Sequence, residues 1–305
     1  MDIADRAVAA YLGLAIGDAL GATVEFLTPT EIRHQYDIHR EIRGGGWLRL
    51  KSGQVTDDTT MSLALGKAIL ENDGRVDALA CARAFDDWMR CKPVDIGNTV
   101  RRNLVGYRHS GNPVAPLSEH DAGNGAAMRV LPVALATVGL PAEEIERATR
   151  AQAHVTHHNA VSDAACDTLV AMIHMALKVD VTEGNPRGTG GAAVLRPLAD
   201  ALVIRTPIYT FGGRRRDNPS GYVVETMQAV FQSLFNTSSF EDCLIDVVNR
   251  GGDADTTGAI CGMLAGAAYG LEMIPRRWIK ALDVKVRVAC ETQARSLIEA
   301  VAVDC

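Results

Sequence analysis

An all-α fold is predicted by three features of the 305-residue chain. Apolar residues recur at three- and four-residue spacing, alternating apolar–polar runs are nearly absent, and no Pro-, Ser- or Gly-rich linker divides the sequence. The helical spacing covers 4–21, 59–72, 78–90, 97–108, 125–138, 142–153, 159–178, 191–203, 220–235, 239–249, 255–270 and 283–302. Stripes of this kind bury against one another, so the expectation is a compact bundle of about a dozen helices forming one domain over 1–305. Gly44-Gly45-Gly46 and the stretch 180–190 read as loops.

The composition, 47% hydrophobic and 22% charged, allows a core large enough to enclose a site. A net charge of -6 leaves no basic stripe for nucleic acid, and Arg214-Arg215-Arg216 reads as a solvated loop. Seven cysteines without a CxxC pair fit reduced thiols and a cytoplasmic protein. The apolar run Ala7–Gly17 is stopped by Asp18 and is too short to span a bilayer.

Two helical stretches carry small residues at four-residue spacing: Ala9, Gly13, Gly17, Gly21 and Gly258, Gly262, Gly266, Gly270. Glycine inside a helix costs about 0.5–1 kcal/mol relative to alanine, so such ridges need a reason. Close backbone approach supplies one, and we expect these two helices to pack centrally on each other. The first is read as running on into Glu25 and the second as beginning at Asp253, which would bring the two ends of the sequence into one site.

Two acidic triplets stand at predicted helix starts: Thr56-Asp57-Asp58, and Asp253-Ala254-Asp255-Thr256 behind Gly251-Gly252. Either alone is a sufficient helix cap, since Asp and Thr accept from the first free N–H groups. A cap needs one side chain, however, and each triplet offers two carboxylates and a hydroxyl. Packed together without a counter-ion, four aspartates would repel severely. All-oxygen ligands suit Mg²⁺ or Mn²⁺, and a pair of such ions can orient a substrate and activate water. The expectation from the residues is a two-metal hydrolase.

With Gly17-Asp18-Ala19-Leu20-Gly21 and Glu25, these triplets resemble the ADP-ribosylglycohydrolase family, and the likeness covers nearly the whole chain. The segments 44–48, 93–99, 122–129 and 222–228 resemble the branch of that family acting on the nitrogenase iron protein. The resemblance implies a compact all-α domain with two Mn²⁺ or Mg²⁺ ions, cleaving the N-glycosidic bond between ADP-ribose and an arginine side chain. It implies Thr56, Asp57, Asp58, Asp253, Asp255 and Thr256 as metal ligands, with Glu25 as the acidic residue beside them. Asp95 matches a position that opens the ribose ring or moves protons; an N-cap for the helix at 97–108 is the other reading. Gly123-Asn124-Gly125 matches a phosphate cradle in front of a helix, with a plain turn as the alternative. Tyr222 matches a residue stacking on adenine, and His157 one near the ribose; core packing and a cap are the alternatives. Asp121, His158 and Asn159 carry the same ambiguity. As partners the resemblance implies the ADP-ribosylated iron protein, a PII signalling protein and, through it, an ammonium transporter at the membrane.

Two departures leave the candidate ligands intact. Thr60 stands in place of a frequent glutamate, and Arg250 in place of a glutamine, where it is expected to alter recognition near the second triplet. The segment 205–219 fits the branch poorly. Rival expectations are the same site acting on ADP-ribosyl-serine or another target, a non-catalytic ADP-ribose-binding module, and a two-metal phosphodiesterase releasing AMP.

Overall fold

The computed structural model describes residues 2–178 and 191–302; the expected loop at 180–190 lies outside them. Fourteen α-helices follow in order: α1 (Ile3–Gly21), α2 (Pro29–Tyr36), α3 (Asp57–Glu71), α4 (Ala78–Arg90), α5 (Asn98–Ser110), α6 (Leu131–Ala136), α7 (Ala142–Ala153), α8 (Ala160–Lys178), α9 (Arg196–Arg205), α10 (Val223–Asn236), α11 (Phe240–Val248), α12 (Ala254–Tyr269), α13 (Arg276–Ala281) and α14 (Val284–Ala302). Among the described residues there are no strands, and two isolated bridges, Gly45 to Leu50 and Gly123 to Tyr222, tie loops together.

The glycine-ridged helices α1 and α12 lie against each other at the centre, as expected from their ridges. Every residue of α1 from Arg6 to Gly21 is buried, as is every residue of α12 from Ala254 to Ala268. A helix buried on all sides belongs to the middle of a fold. The ridges interlock: a Cβ on Gly17 would fall 1.9 Å from the Gly258 carbonyl oxygen, and one on Gly262 2.0 Å from that of Gly13. Around this pair α14, α8, α10 and α11 form the next layer, with α3, α4 and α6 closing one side. Helix α1 ends at Gly21, so Glu25 stands on the turns beyond it rather than on the helix itself.

Two helices escape the periodicity reading. Helix α2 buries Ile32 alone, so it has no apolar stripe; its capping box, Thr28 with Glu31, and Pro29 in the first turn define it instead. Helix α13 has six residues, too few for a repeat, and is anchored by buried Trp278. The expected helix at 125–138 shrinks to α6, because 125–129 form turns whose carbonyls are held by side chains. Helix α8 is long and apolar enough to cross a membrane by length and composition, but 56% of that window is buried against the rest of the fold, as in a core helix. The six described cysteines are free thiols.

The Arg214–Arg216 run is tethered rather than loosely solvated. Arg215 bonds Asp217 and Asp246, and Arg216 bonds Gln228 and faces Glu225. Arg250 is buried on Asp246, Gln232 and the Arg216 carbonyl. Its role is to hold the loop before the second triplet, and it does not reach toward a ligand.

Candidate metal centre

Helices α3 and α12 start side by side, and their first turns carry the two triplets. Asp58 joins them: its Oδ2 accepts from the Thr56 hydroxyl at 3.1 Å and from the Thr256 hydroxyl at 3.3 Å. Glu25, Asp253 and Asp255 form the other edge, each offering a carboxylate oxygen within 4.8 Å of the others. The Gly251-Gly252 pair turns the chain into α12 with φ of 69° and 65°, and a Cβ on Gly251 would fall 2.0 Å from the Leu27 carbonyl oxygen. Only glycine accepts both demands.

A sixth carboxylate, Asp18 of α1, completes the group and was absent from the candidate ligands. It accepts from the Thr56 and Thr59 backbone N–H groups and from the Thr59 hydroxyl, at 2.5–3.1 Å. It therefore fixes the first triplet rather than facing the cavity. The signal in the sequence was an aspartate inside an apolar stretch with glycines at four-residue spacing.

Among the described residues none of the six carboxylates pairs with a lysine or arginine. Asp58 Oδ1 is buried with no hydrogen-bond partner. Such an orphaned anionic oxygen, surrounded by hard oxygen donors, fits a divalent cation. Burial, the leading cause throughout, pushes Asp18 to about 6, Asp57 to about 7 and Glu25 to about 8, raises Asp253, and lifts Asp58 and Asp255 well above the carboxylate range. Neighbouring carboxylates add to the rise in Asp57, Asp58, Asp255 and Glu25.

A cation-free fold therefore keeps protons that the unfolded chain releases, and it loses stability as pH climbs through these raised values. A fold whose carboxylates are held ionised by a cation escapes that loss. The rise in melting temperature on adding Mn²⁺ should thus grow from about pH 6 to about pH 8 by several degrees. His39, His157 and His174, kept neutral by burial, affect both melts alike and cancel. Paired melts in EDTA and Mn²⁺ check this, and a gap that narrows with pH counts against the cluster as a cation site.

The triplets open into a cavity of about 340 Å³. It is lined by Glu25, Phe26, Asp57, Asp253, Asp255 and Thr256, together with Asp95, Gly97 to Val100, Gly123 to Gly125, Met128, His157 and Gly221. Asp95 lies in this lining and accepts from its own neighbour, the Ile96 N–H. The N-cap of α5 is Gly97, so the capping reading of Asp95 is wrong. Gly123 pairs with Tyr222, which is 36% exposed at the edge, while Gly221 beside it faces the cavity.

The phosphate-cradle expectation needs correction in two respects. Turns, not a helix, follow Gly125, so no helix end stands behind it. Asn124 is also committed: its amide bonds Asp253 and Thr226, and its N–H bonds the Gly221 carbonyl. Asp121 is held by Arg102 and Asn103, His158 stacks on His154, and Asn159 caps α8; all three are structural. Thr60 donates to the Thr56 carbonyl and accepts from Trp88. At the rim the Trp47 indole donates to Glu25 Oε2 at 2.6 Å, and Phe26, in a left-handed conformation (φ 63°), packs against Trp47. Neither aromatic was given a role at the site from the sequence, although Trp47 falls in the segment 44–48 that carries the resemblance, behind a three-glycine turn.

The sequence profile of the family described as ADP-ribosylglycohydrolase matches residues 1–304. The chain belongs to the ADP-ribosylglycohydrolase family. It is 49% identical over 300 residues to the ADP-ribosyl-[dinitrogen reductase] glycohydrolase of Rhodospirillum rubrum, covering 98% of each chain. It is 35% identical to the ADP-ribosylarginine hydrolase Tri1 of Pseudomonas putida, over 90% of this chain and 74% of that one. Among solved structures, an ADP-ribosylglycohydrolase-related protein complex superposes with a TM-score of 0.83 at 33% identity, covering 98% of this chain and 99% of the other. Family membership agrees with the all-α fold and with an acidic centre able to hold metal.

Proposed function

We propose that this protein is a hydrolase removing ADP-ribose from a modified arginine side chain, with nitrogenase iron protein as the protein substrate. The observation that carries the reading is the group of six carboxylates, five buried and Asp253 half-buried, without a cationic partner among the described residues, of which Glu25, Asp57, Asp253 and Asp255 line a cavity sized for a sugar. The names of the Rhodospirillum and Pseudomonas relatives support the arginine linkage, and the first supports the iron protein. We read residues 1–305 as a single domain, since the site draws on both α1 and α12.

Thr56, Asp57, Asp58, Asp253, Asp255 and Thr256 would hold two divalent cations, Mn²⁺ or Mg²⁺, with Glu25 at their edge. Such ions supply Lewis acidity toward ribose hydroxyl oxygens and water. The remaining chemistry belongs to the side chains. Cleavage at the anomeric carbon builds oxocarbenium-like positive charge, which the surrounding carboxylates stabilise. Glu25, its Oε2 held by Trp47, would exchange a proton beside the ribose. Asp95, in the same lining, would serve the ribose or the leaving guanidine. On the resemblance alone we extend the proposal to control by a PII protein and an ammonium transporter.

Incubation with Mn²⁺ should release ADP-ribose, and no AMP, from ADP-ribosyl-arginine, and EDTA should abolish the release. Release of AMP would favour the phosphodiesterase reading. Cleavage of ADP-ribosyl-serine in preference to arginine would move the target, and binding without release would leave a recognition module.

A further inference from the structure

Arg129 is wholly buried, and among the described residues it pairs with no carboxylate. Its guanidinium sits 4.3 Å from the Phe85 ring centroid and spends its donors on neutral acceptors. Nε reaches Gln152 Oε1 (2.9 Å), Nη1 the Gly125 carbonyl (2.9 Å), and Nη2 the Gln152 carbonyl (3.0 Å) and the Thr156 hydroxyl (2.8 Å). A desolvated charge held this way is costly, so a function for its direction is worth seeking.

The direction runs to His157. A guanidinium donates and never accepts, so the Thr156 oxygen must accept from it. The other polar neighbour of that hydroxyl is His157 Nδ1 at 2.8 Å, which takes the hydroxyl proton. Nδ1 is then the acceptor nitrogen, and the ring proton sits on Nε2. The opposite tautomer would point two donors at one hydroxyl and strand its proton. Nε2 has no hydrogen bond among the described residues and belongs to the wall of the cavity. The ring lies so close that a Cβ on Gly123 would come 3.0 Å from Nε2 and one on Gly125 2.7 Å from Cε1.

We infer that Arg129 and Thr156 are positioning residues that lock His157 as the neutral Nε2–H tautomer, a fixed hydrogen-bond donor to an oxygen of ADP-ribose beside the Gly123–Gly125 turn. Burial and the nearby Arg129 and Arg102 charges, which hold the imidazole down to about 3, agree with a neutral ring. The inference rests on the ADP-ribose reading of the cavity. It differs from that reading in concerning which nitrogen faces the ligand and what fixes it.

Long-range ¹H–¹⁵N spectra, with His157 assigned through His157→Gln, should show a single protonated nitrogen, Nε2. Thr156→Val removes the relay: the tautomer should change or become mixed, and the Kd of the Mn²⁺-loaded protein for ADP-ribose should rise about tenfold, the worth of one hydrogen bond. Thr156→Ser should restore both. A wild-type ring protonated on Nδ1 or on both nitrogens overturns the inference, as does Thr156→Val with tautomer and Kd unchanged. If Thr156→Val fails to fold, the wild-type spectrum decides alone. Absence of ADP-ribosyl-arginine cleavage would remove the proposed function while leaving the tautomer readable.

Discussion

Asp58→Asn is expected to abolish hydrolysis while raising the melting temperature of the metal-free protein. Asp58 is 1% exposed, receives the Thr56 and Thr256 hydroxyls on one oxygen, and has no partner for the other. Asparagine keeps the volume and one oxygen for the hydroxyls, and it brings an amide that neighbouring carboxylates can accept from. It removes a buried group that must take up a proton when the chain folds without metal, so the metal-free fold gains a few degrees. The same change removes an anionic ligand from the point where the two triplets meet. Loss of about 4 kcal/mol of transition-state stabilisation would lower kcat/KM about a thousandfold. A residue retained for packing alone predicts the reverse on both counts, with lower stability and little change in activity. Thermal melts with and without Mn²⁺, beside an ADP-ribose release assay, separate the two. A fully active variant, or one melting below wild type without metal, would refute the role.

That double expectation explains why the acidic centre was legible from sequence. Four aspartates in two helix starts exceed what capping can use, and the excess has one simple chemical resolution. The ridge on α1 and α12 was legible for the same reason: glycines at four-residue spacing are a cost that only close packing offsets. What stayed hidden were groups whose meaning depends on a partner far away in sequence. Asp18 reads as the end of an apolar run until Thr56 and Thr59 are seen donating to it. Trp47 reads as a loop aromatic until its indole meets Glu25. The 125–129 stretch reads as the start of a helix because Ala126, Ala127 and Met128 are apolar. Its turns are set by Arg129 and Gln152, whose side chains take the Gly125 and Ala126 carbonyls. Local apolar spacing carries no record of such side-chain hydrogen bonds, one of them from Gln152, 26 residues away. The family resemblance did point at Gly123–Gly125, but it could not show that the Asn124 amide is already used by Asp253 and Thr226.

Gly17→Ala should be among the most damaging single-methyl substitutions in the chain. Its Cβ would fall 1.9 Å from the Gly258 carbonyl oxygen and 2.8 Å from the Ala259 nitrogen. Both are backbone atoms of α12, so no side-chain rotation relieves the clash; the two helices must separate. Overpacking of this kind costs about 3 kcal/mol, or roughly 6–12 °C in melting temperature at this size. The effect should reach the site as well, because Asp18 follows Gly17 directly and α12 begins between Asp253 and Asp255. Separation of α1 from α12 would pull the carboxylate that holds Thr56 and Thr59 away from the second triplet, so Mn²⁺ affinity should fall along with stability. Gly106→Ala is the control. Gly106 lies within α5, nothing stands within 4 Å of its added Cβ, and the same methyl there should stabilise by about 0.5–1 kcal/mol through helix propensity. If Gly17→Ala melted within a degree of Gly106→Ala, the interlocked ridge would not be what brings the two triplets together. If Gly17→Ala lost stability but kept Mn²⁺ affinity, the ridge would serve the core alone, and the registry of the metal centre would have to come from the turns at Gly251 and Gly252.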